Sequence, residues 1–229
     1  AAAVLVLWLL LALFVDYPLA MLLARVFVDQ GHFGLEGIAA ILTDRHQLAA
    51  LRNSLVLGTL VGAGGTLLGF LFAFTAARCR LAPGVVRLID ISVLLPLVSP
   101  PFTTAIGYVF SFGPRGLITY DLLGIANVGV YGMWSTLTAE IVTYFPIAYL
   151  TLRPMLQAID SNIEGMALSL GASRARVFRT VTLPLCTPGL ANAFLLLFAA
   201  SLAEFATPLI LAGNQFPVLP TQAYLQITG

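Results

Sequence analysis

Residues 161–185 read SNIEGMALSLGASRARVFRTVTLPL, a stretch too polar and too broken to cross a bilayer, set in a chain that is otherwise apolar almost throughout. Of the 229 residues 59% are hydrophobic and 9% charged, and the mean hydropathy is +0.98. A soluble domain of that composition would have to face water with apolar surface, so the fold class reads as all-α, a polytopic membrane helical bundle in a lipid bilayer. Net charge is +1 and all 11 cationic residues are Arg, which leaves no strong field for nucleic acid or an acidic substrate. Cys79 and Cys186 lie far apart, without the pair spacing of a metal or redox motif.

Outward from that stretch, five segments carry roughly the 20 apolar residues a crossing needs: about 4–26, 53–77, 85–110, 133–152 and 189–211. The first carries Asp16-Tyr17-Pro18 near its middle, so Asp16 is expected to face protein. It has no small-residue cleavage site and reads as a span, not a signal peptide. The chain starts without Met and stops inside an expected outer loop, and it reads as part of a longer protein.

Between the first two spans, Leu35, Ile38 and Leu42 recur at helical spacing and predict a surface-lying amphipathic helix. His32 and His46 fall here, but two His without Cys or carboxylate at ligand spacing read as solvated side chains, and no metal site is expected. In the second span Gly58 with Gly62, and Gly65 with Gly69, form small-xxx-small patterns that let another helix approach closely. In the third, Pro96, Pro100 and Pro101 predict a break near mid-membrane. Ser99 and Thr103 beside that break are candidate polar contacts for a solute.

The fourth span holds Glu140, and the fifth Asn192 and Glu204. Ionisable groups inside a membrane are functional candidates because their desolvation is costly. Two readings stand for Glu140 and Glu204: they line an outward vestibule, or each hydrogen-bonds a neighbouring helix. Orientation follows from Arg78, Arg80, Arg87, Arg153, Arg174, Arg176 and Arg179 falling on one side, against Arg25, Arg45, Arg52 and Arg115 on the other. The richer side is the cytoplasm, which puts the 153–186 loop and both cysteines there.

Within the loop, Ser161 and Glu164 have the form of a capping box, and Ile163, Met166, Ala167 and Leu170 share one helical face. Gly171 is placed to end that helix in a left-handed conformation. Ser173 is placed to cap a second, with Val177, Phe178 and Val181 on one face and Arg176 and Arg179 on the other; Pro184 and Pro188 mark the exit. Periodicity leaves two readings of this pair, a docking device for another protein or helices resting on the membrane interface.

Gly171, nine residues, then Val181-Thr182-Leu183-Pro184 resembles the cytoplasmic loop motif of permease subunits of ABC importers. The family pattern is Glu-Ala-Ala, three residues, Gly, nine residues, an aliphatic, one residue, Leu-Pro. Here Gly165, Met166 and Ala167 align with Glu-Ala-Ala, and the acidic residue falls one place early, at Glu164, so that capping and coupling both stand as its role. LPLVSPPF at 95–102, FGPRGLIT at 112–119 and SLAEFATPLILAGNQFPVLPTQAY at 201–224 resemble permeases of the ferric-iron uptake type, often two homologous halves fused in one chain.

The resemblance implies a bacterial inner-membrane permease, the N-terminal half of such a fused chain, working with a second half, two ABC ATPase subunits and a periplasmic solute-binding protein. It implies ATPase-coupling positions at Glu164, Met166, Ala167, Leu170, Gly171, Ala172, Val177, Phe178 and Pro184, with ATP used by the partners and no cofactor bound by this chain. Polyamine, phosphonate, thiamine and sulfate permeases share the architecture, so cargo beyond ferric iron stays open. Two other classes compete. An intramembrane enzyme would need convergent catalytic groups within the spans, whereas both His lie outside them; a passive channel would conduct without nucleotide.

Overall fold

The computed structural model describes residues 2–29, 32–33, 39, 42–100 and 102–228. Residues 1–49 form one compact unit and 50–229 another. In the first, α1 (Ala2–Leu11) passes through a π-helical turn at Ala12–Asp16 into α2 (Tyr17–Phe27), and β1 (Val28–Asp29) pairs with β2 (His32–Phe33) in a two-residue antiparallel ladder. Asp16, expected to face protein, is exposed. Of the expected surface helix, Leu35 and Ile38 lie outside the described residues.

The second unit is built from α3 (Arg45–Arg78, its first turn in the first unit), α4 (Pro83–Val98), α5 (Thr103–Phe112), α6 (Met133–Ala158), α7 (Ser161–Ser169), α8 (Arg174–Val177), α9 (Leu183–Ala203), α10 (Ala206–Leu211) and α11 (Leu219–Thr228). Among the described residues three helical runs are long and apolar enough to cross a membrane: Ala3–Ala24, Arg45–Arg78 and Arg174–Ala203. A fourth qualifies if α4 and the run Thr103–Leu122 count as one span, although they are bent by 108°. That bend is the break the prolines predict: Pro96 lies in the last turn of α4, Ser99 and Pro100 are extended or exposed, and Pro101 lies outside the described residues.

The expected fourth span lies in α6, which is 26 residues long but does not reach that hydropathy. Its reason is position: α6 is the buried centre of the bundle, where Ser135, Thr136 and Glu140 are shielded by protein and need not be apolar. The helix that carries the second expected span is longer than that span, Arg45–Arg78, and the one that carries the fifth, Leu183–Ala203, ends short of 211 and continues a helical run from Arg174. The tail is not an open loop, because Asn53 Nδ2 donates to Pro217 O at 2.9 Å and Leu219 N to Ser54 Oγ at 2.8 Å, pinning α11 to α3.

The core joins Phe70 and Ala73 of α3, Val93 of α4, Phe145, Ala148, Tyr149, Leu152 and Leu156 of α6, and Cys186, Ala193 and Leu197 of α9. The glycines of α3 set its closeness. A Cβ on Gly62 would lie 2.9 Å from the Phe194 ring of α9. One on Gly69 would meet Ala148 Cβ at 2.6 Å, Phe145 O at 2.8 Å and Tyr149 N at 2.9 Å. Two of those three are backbone atoms of α6, which cannot rotate aside, so the small-xxx-small pattern here is a seam without slack. Gly69→Ala is expected to cost about 1–3 kcal/mol by overpacking. Gly84→Ala, where nothing lies within 4 Å, should be neutral or mildly stabilising, Ala being the better helix former by roughly 1 kcal/mol. Apparent melting temperatures in detergent check both, and equal values for the two variants would refute the seam.

Candidate functional site

The short-helix pair begins with a cap one residue earlier than expected: Asp160 Oδ1, not Ser161, accepts from Asn162 N at 2.8 Å. The turn out of α7 is as the sequence predicts, with Gly171 at φ +84°. Gly171 N donates to Leu168 O at 3.0 Å and Ala172 N to Ala167 O at 3.1 Å, the two bonds of a Schellman motif. Ser173 Oγ then accepts from Arg176 N at 3.3 Å and starts α8.

The two expected apolar faces have different fates. On α7, Ile163, Met166 and Leu170 stand at helical spacing and are exposed, Leu170 by 89%. Ala167 and Ala172 are half-buried, and Pro184 is exposed in the first turn of α9. On the second helix Val177 is buried, and Phe178 packs against Phe70 and Phe74 of α3 at ring-centroid distances of 6.3 and 5.5 Å. Val177 and Phe178, expected to present themselves to a partner, are anchors that hold the pair to the bundle. The reason is that α8 runs on through a π-helical turn (Phe178–Thr182) into α9, so its apolar side is committed to the core that α9 joins.

Glu164 turns inward. Its Oε1 accepts from Thr182 Oγ1 at 2.7 Å and lies 3.4 Å from Arg78 Nη2, which also donates to Ile159 O at 3.3 Å. These groups border a cavity of about 860 Å³, with Phe74, Val177 and Phe178 on its apolar side and Arg80 and Arg174 among its charged residues. Sequence reasoning missed Arg78 and Thr182 as partners; the one signal was the basic turn after α3.

The intramembrane acids lie between α6 and α9. Glu140 is fully buried and accepts from Ser201 Oγ, while Tyr144, one turn further along α6, donates its hydroxyl to Glu204. Glu204 Oε1 also accepts from Ala206 N at 2.8 Å and Thr207 N at 3.1 Å, capping α10 across the break that ends α9. In this conformation both acids hydrogen-bond across the α6–α9 joint, and Glu140 keeps its other oxygen, Oε1, buried without a partner. Asn192 is exposed on α9, nine residues before Ser201 and about 13 Å along the helix axis. It is not brought to the acids.

Ser99 is half-buried at the end of α4 and Thr103 exposed at the start of α5. Past the break, Thr104, Tyr108 and Ser111 of α5 and Thr138 of α6 border a smaller cavity of about 380 Å³, and Thr138 Oγ1 donates to the Tyr108 hydroxyl at 3.1 Å. A third polar tie joins α4 to α6, where Asp90 accepts from both Tyr149 and Arg153. Among the described residues no three His, Cys, Asp or Glu gather as a metal site.

Residues 65–228 match the family described as binding-protein-dependent transport system inner membrane component. The chain belongs to that family. The ferric transport system permease protein FbpB of Actinobacillus pleuropneumoniae is 33% identical over 96% of the chain, which spans 32% of that relative. The molybdenum transport system permease protein ModB of Escherichia coli K12 is 36% identical over 76% of the chain and 75% of its own length. This family member thus spans about a third of the ferric relatives it matches. In fold it is similar to a bacterial alginate ABC transporter crystallised with an alginate pentasaccharide-bound periplasmic protein, with TM-score 0.82 at 18% identity over 99% of this chain and 83% of that one.

The polar joint at the end of α9 is testable on its own. Glu204→Leu leaves two backbone N–H groups and Tyr144 without their acceptor and is expected to cost about 1–3 kcal/mol. Glu204→Gln, which keeps an oxygen there, should lose less. Thermal unfolding in detergent measures both, and a Leu variant as stable as the parent would refute the joint.

Proposed function

We propose that this chain is the permease element of an ATP-driven, binding-protein-dependent importer of the bacterial inner membrane. It moves solute by alternating access and makes or breaks no covalent bond itself. ATP is hydrolysed by two partner ATPase subunits, and the pathway is completed by a second permease half and loaded by a periplasmic solute-binding protein. The observation that carries the reading is the face of α7: Ile163, Met166 and Leu170 stand exposed on a short helix closed by a Schellman turn, within the Gly171 to Pro184 motif. A row of apolar side chains outside any membrane span favours a protein groove, which would bury them.

In this reading the ATPase pair closes on ATP, carries α7 with it, and rocks the helices between two packed arrangements. Met166, Ala167, Leu170, Gly171 and Ala172 form or shape the contact, while Val177 and Phe178 anchor the pair to the bundle and Pro184 starts α9. Cargo is a finer question. Ferric iron is supported by two ferric relatives that match 100% and 96% of the chain at 33% identity, against 76% to 93% for the molybdenum relatives.

The test is uptake into proteoliposomes holding the full-length chain, its ATPase and its binding protein, with 55Fe(III) and 99Mo-molybdate in parallel. ATP-dependent iron uptake is expected. Molybdate uptake would reassign the cargo, and solute flux without nucleotide would sink the importer reading. Gly171→Leu should reduce ATP-dependent uptake at least about tenfold by disturbing the turn that sets α7; normal transport with normal ATPase binding would exclude α7 as the docking element.

A further inference from the structure

We infer that Arg78 is a positioning residue for coupling, the point through which movement of α7 reaches α3; this rests on the permease reading above. α7 is short and stands on few supports. By chain continuity alone it is joined to α6 through Ile159 and Asp160, and to α8 through the Gly171 turn. Arg78 adds a third, non-covalent link. It is the last residue of α3, and its Nη2 reaches Glu164 Oε1 on α7 at 3.4 Å and Ile159 O at the end of α6 at 3.3 Å. Thr182, at the entry to α9, donates to the same Glu164 oxygen at 2.7 Å. Arg78 and Glu164 together thus tie α7 to the three central helices: Glu164 meets the end of α3 at Arg78 and the turn entering α9 at Thr182, and Arg78 in turn holds Ile159 O at the end of α6.

The link is stiff for three reasons. The side chains of Arg78 and Glu164 are only 14% and 22% exposed, so water competes weakly for them. Arg78 Nε is buried without a hydrogen-bond partner, so the guanidinium depends on the contacts its outer nitrogens make. One outer nitrogen, Nη2, serves both groups, donating to Ile159 O and pairing with Glu164, and its planar guanidinium fixes their relative direction where a lysine ammonium would not. Beyond Arg78, the Gly62 and Gly69 seam leaves α3 no slack against α9 and α6. A displacement of α7 is therefore passed into α3 as a movement of the whole helix. The exposed apolar face of α7 points to the ATPase while Glu164 points the other way, so one short helix has a receiving side and a transmitting side.

The test measures solute moved per ATP hydrolysed, in proteoliposomes of the full-length chain with its ATPase and binding protein, using 55Fe(III)-citrate and 99Mo-molybdate as probes. Arg78→Gln is expected to lower that ratio about tenfold, within the range of ordinary coupling energies. Arg78→Lys should fall between it and the parent, and the double exchange Arg78→Glu with Glu164→Arg should recover part of the loss. A purely structural role would reduce assembled complex, hydrolysis and uptake together and leave the ratio where it was. An unchanged ratio in assembled Arg78→Gln overturns the inference, and if that variant does not assemble, the ratio for Arg78→Lys decides in the same way. No ATP-dependent uptake by the parent chain with either probe would overturn the permease reading and the inference with it; coupled uptake by the parent with unchanged variants removes the inference alone.

Discussion

The seam where α3 lies against α6 and α9 is the contact on which the rest depends. With no Cβ at Gly62 or Gly69, backbone meets side chain and backbone at distances no other residue allows. In lipid there is little hydrophobic gain from pressing helices together, so close packing and polar ties must supply the adhesion. The seam provides the first. It also sets the register of three helices, and with it which polar side chains can meet.

Those polar ties sit where elements join. Glu140 with Ser201 and Tyr144 with Glu204 hold α6 to the end of α9, and Glu204 carries the chain across the break into α10. Asp90 with Tyr149 and Arg153 holds α4 to α6. Glu164 with Arg78 and Thr182 holds α7 to α3 and α9. A buried polar group without a partner costs roughly 1–3 kcal/mol or more, so each tie selects one arrangement out of several that an apolar bundle would tolerate.

The short-helix pair illustrates how one sequence pattern divides into two jobs. Both helices carry an apolar face and both are capped as helices, yet α7 leaves its face open while Val177 and Phe178 are drawn into the aromatic cluster of Phe70 and Phe74. Chain continuity decides this. α8 leads directly into a long buried helix and shares its core, whereas α7 lies between two turns and hangs free on its far side.

What the sequence determined by itself is whatever depends on local chemistry or on composition: an all-helical membrane bundle, the close-packing glycines, the proline break after Val98, the left-handed Gly171 and the Ser173 cap. Each is decided within a few residues, by φ preference, hydrogen-bond donors or apolar content. Only the tertiary structure decided that α6 is central, its polar side chains shielded by protein, that α9 breaks at Glu204 instead of reaching 211, that Asp160 caps α7, and that Glu164 answers to Arg78. Those outcomes depend on which distant groups the seam brings within hydrogen-bond reach. A carboxylate looks the same in the sequence whether it caps its own helix or holds another one 86 positions away, as Arg78 and Glu164 do; desolvation in a packed bundle chooses between them, and that is a property of neighbours, not of spacing.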